Sequence, residues 1–295
     1  MAIYLLLQRF LNLNSFKPHL MRKRIFSMAF FGLQLLSPAC GLADGAPTIR
    51  WDFDTLDGWV YEHQDQAPAP QCSLSDGNLY IYTRAYMRDR QKMHTAQQVF
   101  TCGRYSWRTY ISPIATGEQT SIGSWIYCDE QHELDFEVGP GTADVRRKYG
   151  IGEGELAACM TSQTNPFVSS YAAVRTGWHV FTIELENVQG RYLARWYIDG
   201  EEKQRLPLHY GDEKAFRIYC SVENLTFIGD RIPSHQNYAL FDWVEFTSTS
   251  GTANGISHAG AGRQKPAVVY NLQGIRVAHP RKGNIYVINK KKVIY

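Results

Sequence analysis

Between His132 and Gly139 the chain reads His-Glu-Leu-Asp-Phe-Glu-Val-Gly, a carboxylate at every second position with an apolar residue between. A β-strand sorts such a pattern onto two faces, because its successive side chains point to opposite sides. The alternation predicts Leu134, Phe136 and Val138 in a core, and Glu133, Asp135 and Glu137 in one row on the other face. Three like charges in a row are costly, since each raises the pKa of the others and like-charged neighbours destabilise a sheet. A face meant only for solvent would interleave Lys or Thr.

The row makes sense where one carboxyl must stay protonated near neutral pH while another stays ionised. Breaking a glycosidic bond with an acid and a nucleophile has that requirement. Residues four apart on a strand have Cα atoms about 13 Å apart. Two glutamates leaning over the central Asp bring their carboxyls to roughly 5–6 Å, the separation of a retaining glycosidase. Two other readings stand beside this one: a solvated strand with an acidic stripe, and a calcium-binding edge, since clustered carboxylates suit a hard cation.

The rest of the chain sets the context for that strand. From Ile49 to Phe246 it reads as short β-branched and aromatic runs bounded by Gly, Asn, Asp and Ser. Examples are Asn78 to Thr83 after Ser75-Asp76-Gly77, Tyr105 to Ile111 after Gly103, Ser121 to Tyr127, and Tyr192 to Ile198 closed by Asp199-Gly200. No long segment carries a 3.6-residue period. The expected fold is all-β, a two-sheet sandwich of the jelly-roll kind over residues 47–248. A polar Gly- and Ser-containing linker is expected at 249–264, followed by a short β-rich tail at 265–295 that is too small for a core of its own.

The formal charge of +3 is nearly balanced, and much of the basic excess lies near the ends, in Arg22-Lys23-Arg24 and Lys290-Lys291-Lys292. This leaves no stripe for nucleic acid, and no nucleic-acid partner is expected. Residues 1–43 read as a leader. Met21-Arg22-Lys23-Arg24 and the apolar run Ile25 to Leu36 form a secretory signal, with Met21 as the expected start and cleavage after Ala43. The run is too short for a transmembrane helix. Cys40 has a lipidation-like setting, but Ser stands three residues before it instead of Leu. Past the leader remain Cys72, Cys102, Cys128, Cys159 and Cys220, an odd number that leaves at least one free thiol. No Cys/His spacing suits zinc and no HExxH occurs, so metal catalysis has no support and no cofactor is required; a structural calcium stays open.

Glu133-Leu134-Asp135-Phe136-Glu137 resembles the E-x-D-x-E motif of glycoside hydrolase family 16. Gly103-Arg104-Tyr105-Ser106-Trp107-Arg108 is similar to the family's G-x-Y/F-x-x-R strand. Gly177-Trp178-His179-Val180-Phe181-Thr182-Ile183 is similar to its F-H-x-Y-x-I/F strand, and Arg195-Trp196-Tyr197-Ile198-Asp199-Gly200 to its W-Y-V-D-G hairpin. Four motifs appear in the family's order across about Thr101 to Phe246. The resemblance implies a concanavalin-like jelly roll whose concave sheet carries a cleft. It implies Glu133 as nucleophile, Glu137 as acid/base and Asp135 as the helper between them. The implied activity is retaining endo-hydrolysis of a β-linked polysaccharide, a β-glucan or an algal galactan, by a monomer. Trp125 and Tyr127, in the same alternation on a preceding strand, are candidates for stacking on sugar; Trp196 and Arg108 are further substrate-binding candidates. The segment before the acidic strand, Cys128 to His132, is shorter than in many family members. Trp51 to Trp59 is closer to the opening strand of concanavalin-like carbohydrate-binding modules, and a non-catalytic glycan-binding module is the competing function. The tail resembles those of exported Bacteroidota proteins. This implies secretion or surface attachment in a Gram-negative bacterium, with the periplasm as the other compartment.

Overall fold

The computed structural model describes residues 46–249, 269–271, 274–275, 277, 285–288 and 291–294. The expected leader, and the expected linker beyond Thr249, lie outside these residues. The alternating runs form strands, in chain order β1 Thr48–Trp51, β2 Trp59–His63, β3 Cys72–Ser75, β4 Asn78–Thr83, β5 Arg90–Thr95, β6 Gly103–Ile111, β7 Thr120–Asp129 and β8 His132–Gly139. After them come β9 Leu156–Ser162, β10 Val168–Val174, β11 Gly177–Val188, β12 Arg191–Ile198, β13 Glu201–Pro207, β14 Arg217–Asn224 and β15 Asn237–Ser248. Tight two-residue turns close several hairpins. At Asp76-Gly77 and Asp199-Gly200 both turn residues have positive φ, the geometry that matches the strand twist.

All strand pairs are antiparallel. One sheet runs β13-β12-β11-β6-β15-β4-β3, with β1 added against β15. The other runs β10-β9-β8-β7-β14-β5-β2. The arrangement is the expected two-sheet jelly-roll sandwich. The opening segment joins both sheets, β1 on β15 and β2 on β5.

The core lies between the sheets. On β8 the apolar set Leu134, Phe136 and Val138 is fully buried, in one cluster with Trp107, Phe181 and Trp196 from the opposite sheet. The Phe136 and Phe181 rings meet at 5.1 Å. The sequence pattern did not foresee a helix, and among the described residues one short one is present, α1 Ala143–Tyr149. Thr142 caps it by accepting from the Val145 N–H, and Gly150 ends it in the left-handed conformation. With no buried residue, α1 shows no apolar face for the period to register.

The tail residues form a separate three-stranded sheet, β16 Val269–Tyr270, β17 Ile285–Ile288 and β18 Lys291–Ile294. It does not stand alone. The Tyr270 hydroxyl donates to Asp242 Oδ2 at 2.8 Å, and Arg108 donates to the Gly274 carbonyl at 2.7 Å. The tail therefore meets the outer face of the first sheet.

Candidate active site

Strand β8 lies inside the second sheet, between β7 and β9. Its apolar residues take the core side, so Glu133, Asp135 and Glu137 share the outer face. The register completes the row on either side. Tyr127 lies opposite Glu133, Trp125 opposite Asp135 and Gly123 opposite Glu137 on β7. Thr161 lies opposite Asp135 and Cys159 opposite Glu137 on β9. Directly paired residues share a face. Trp125 and Tyr127 are thus brought to the carboxylates.

This outer face is recessed. Asp135 is 1% exposed and Glu137 9%, although no strand of the other sheet covers them. Burial is the first cause of every shift here. It pushes Glu137 up to about 8, helped by the charges of Glu223 and Glu133, while hydrogen bonding from Ser121 and the charge of Lys92 pull it back. Asp135 is pushed well above the carboxylate range by burial and by Glu133 and Glu137. Gln163 Nε2 donates to Asp135 Oδ2 at 2.8 Å, and Oδ1 receives no donor, as suits an oxygen that carries a proton. Asp135 hydrogen-bonds Glu133, which lowers Glu133 against the upward pull of burial. The net direction for Glu133 is still upward, with burial the largest cause, while Asp135 and Glu137 are pushed far enough to hold their protons near neutral pH.

Four further residues belong to this site and are not apparent from the sequence: Ser121, Gln163, Lys92 and Glu223. Lys92 Nζ donates to Glu223 Oε2 at 3.0 Å, both residues being almost wholly buried. Strand alternation in Arg90-Gln91-Lys92-Met93-His94-Thr95 hints that Lys92 and Met93 face opposite ways. Only the pairing of β5 with β14, and of β14 with β7, brings Lys92 to the carboxylates.

Trp125 is mostly committed to packing. Its ring stacks on Tyr219 at 3.8 Å, and its Nε1 donates to Ser221 Oγ at 3.0 Å. Tyr127 is half-buried, and its hydroxyl donates to Glu130 at 3.1 Å. Two sequence candidates are not at this face. Trp196 is fully buried between the sheets because β12 alternation turns it inward, and its indole N–H donates to the Asp135 backbone carbonyl at 3.1 Å. Arg108 sits on the outer face of β6 in the other sheet. It donates to Asp242 Oδ2 at 2.7 Å and lies between the rings of Trp178 and Tyr270, 4.4 and 4.8 Å from their centroids. In β6 the core side is taken by Tyr105, Trp107 and Thr109, so parity sends Arg108 away from the carboxylates.

The five cysteines past the leader are all unpaired. Among the described residues no helix is long and apolar enough to cross a membrane.

No family model and no curated protein sequence matches this chain. Solved structures do. An endo-1,3-beta-glucanase from Streptomyces sioyaensis is 16% identical, over 68% of this chain and 95% of that one, with a TM-score of 0.50. The apo Crh5 transglycosylase is 17% identical, over 70% of this chain and 86% of that one, also at 0.50. A glycosyl hydrolase family 16 protein from Mycobacterium smegmatis is 16% identical, over 67% of this chain and 98% of that one, at 0.49. At this identity the likeness to the first two establishes the fold alone, a two-sheet sandwich.

Proposed function

We propose that this chain is a glycoside hydrolase, a retaining endo-glycosidase that cleaves a β-linked polysaccharide. The carrying observation is the row of three carboxyls on one strand face, with Glu137 pushed up to about 8 and Glu133 accepting a hydrogen bond from the protonated Asp135 between them. The fold shared with an endo-1,3-beta-glucanase supports a β-glucan as substrate. In the first step the Glu133 carboxylate attacks the anomeric carbon as Glu137 gives its proton to the departing glycosidic oxygen. The bond to the leaving sugar breaks and a glycosyl ester forms on Glu133. Glu137, now ionised, then takes a proton from water. That water attacks the same carbon, releases Glu133 and leaves the configuration retained. Asp135 stays protonated throughout and holds Glu133 in place. Tyr127, half-buried and opposite Glu133 on β7, is the candidate to stack on sugar beside the nucleophile.

Polymer substrates do not enter cells, which fits export on the leader. Reducing-sugar release from a panel of β-1,3-glucan, mixed-linkage glucan, agarose, carrageenan and xyloglucan tests the activity. The reading expects release from at least one, with products of intermediate length. Binding to a glycan without any release would instead favour a lectin-like module on the same sandwich.

A further inference from the structure

Lys92, Ser221, Gly123 and Glu137 stand in one cross-strand row. Lys92 pairs with Ser221, Ser221 with Gly123, and Gly123 with Glu137. Strands are about 4.8 Å apart, so three steps separate the outer two by about 14 Å at Cα, a gap that a Lys and a Glu leaning inward nearly close. The middle of the row is kept low. A Cβ at Gly123 would run into Ser221 Oγ and crowd the Trp125 ring. Over this low floor the Lys92 ammonium sits 5.5 Å from the centre of the Trp125 ring, and Trp125 is the residue opposite Asp135. The neighbouring row repeats the connection: Glu223 pairs with Ser121, whose hydroxyl donates to Glu137.

A buried ion pair is a weak source of stability, because desolvation offsets its attraction. Glu223 does not need Lys92 for neutrality, since Arg90 Nε donates to the same Oε2 at 2.7 Å. Lys92 is thus an extra buried cation, 1% exposed, beside the acidic row.

We propose that Lys92, anchored by Glu223, is a positioning residue that sets how readily the carboxyls of the acidic row ionise. Its ammonium favours the ionised forms of Glu137, in its own row, and of Glu133, and the Glu223 carboxylate opposes both. The other titratable groups on this face are spread around the pair. Cys159 and Tyr171 face it from β9 and β10, and Tyr127 from β7, with Glu130 in the turn beyond. Arg217 and Tyr219 face it from β14, His94 from β5 and Glu62 from β2. Among these Arg217 is a cation, and it lies in the Tyr127 row, two rows from Lys92.

The inference rests on the glycosidase reading for its purpose, but its test does not need substrate. The full chain, labelled with carboxyl-13C glutamate, is titrated by NMR, with Glu133 and Glu137 assigned by their Gln variants. Lys92→Gln keeps a donor for Glu223, whose charge Arg90 still balances, so it strands no buried ion. It should raise the titration midpoints of Glu133 and Glu137 by on the order of one unit, and Lys92→Arg should restore them. Glu223→Gln removes an anion and should move both midpoints down. In the active enzyme the limbs of the kcat/KM profile should move the same ways, with KM little changed. Midpoints that stay put in Lys92→Gln, or that move in the same direction in Lys92→Gln and Glu223→Gln, overturn the proposal even if hydrolysis is found. Opposite shifts support it even if no tested glycan is cleaved, in which case only the activity reading fails.

Discussion

Trp196 and Asp135 join the two sheets: the indole N–H from β12 donates to the backbone carbonyl of Asp135 at 3.1 Å, directly beneath the acidic row. The bond comes from the core side, where the ring is fully buried, and it holds the strand that carries the chemistry rather than any sugar. A second bond of the same kind runs from Trp107 Nε1 to the Tyr219 carbonyl at 3.0 Å, behind the ring that stacks on Trp125. The two tryptophans thus fix β8 and β14, the strands of Glu137 and Glu223. Trp196→Phe keeps most of the packing and deletes the donor. It should destabilise the fold by about 1–3 kcal/mol, read from the urea midpoint, and lower kcat more than it changes KM. An unchanged midpoint would mean that the bond carries no weight.

Glu137 gives the fold a pH dependence opposite to that of most carboxylates. Burial pushes its pKa up to about 8 in the folded chain, from the ordinary carboxyl value of 4.5 in the unfolded one. Below about 4.5 both states hold the proton, and the group is neutral to stability. As pH rises, the unfolded chain releases the proton first, so stability falls until the folded pKa is passed. Asp135, raised for the same reason, adds in the same direction. Glu137→Gln should therefore melt at the same temperature as wild type near pH 4 and higher by about 3 °C or more at pH 8. A difference that is largest at pH 4 would contradict the raised pKa.

Glu133→Gln should abolish hydrolysis by about 10⁴-fold or more while leaving binding of the best glycan and the far-UV spectrum unchanged. The side chain lies on the outer face, away from the core that holds Leu134 and Phe136. Hydrolysis at near wild-type rate would sink the nucleophile assignment.

The contacts of Arg108 call for a different experiment, because they tie the tail to the sandwich. Arg108→Met removes the bonds to Asp242 and Gly274 together. The tail of the variant should be cleaved by trypsin several-fold faster, with hydrolysis unchanged, since no part of the cluster lies on the acidic face. Equal cleavage would show that the other contacts of Tyr270 suffice.

The sandwich and the acidic row were legible in the sequence because both rest on a period of two, which local alternation displays directly. The same rule gives the face of a residue within its own strand but not which sheet the strand joins. Trp196 and Arg108 lie away from the acidic face for that reason: each sits in a motif that reads as near the site, yet β12 and β6 belong to the sheet opposite β8. Lys92 and Glu223 were invisible for the converse reason. They are 131 residues apart in sequence, and only the order β7-β14-β5 makes them neighbours of Glu137. Their strands are mixed polar and apolar runs with no motif to mark them.

The assignment of Glu137 as acid/base is open to a stereochemical check. Glu137→Ala should slow cleavage of polysaccharide by about 10²–10⁴-fold, because its leaving group needs a proton. Activated aryl glycosides, whose leaving groups need none, should still form the glycosyl ester on Glu133. Their turnover should then stall at the second step, where no base remains to activate water. Azide needs no base, and with Glu137 gone no carboxylate at that position repels it. Added azide should speed turnover and yield a glycosyl azide. Two inversions at the anomeric carbon, one by Glu133 and one by azide, give the β configuration from a β-linked substrate. A β-azide would place Glu133 and Glu137 in their proposed roles in one experiment. An α-azide would mean a single direct displacement, with Glu133 no nucleophile.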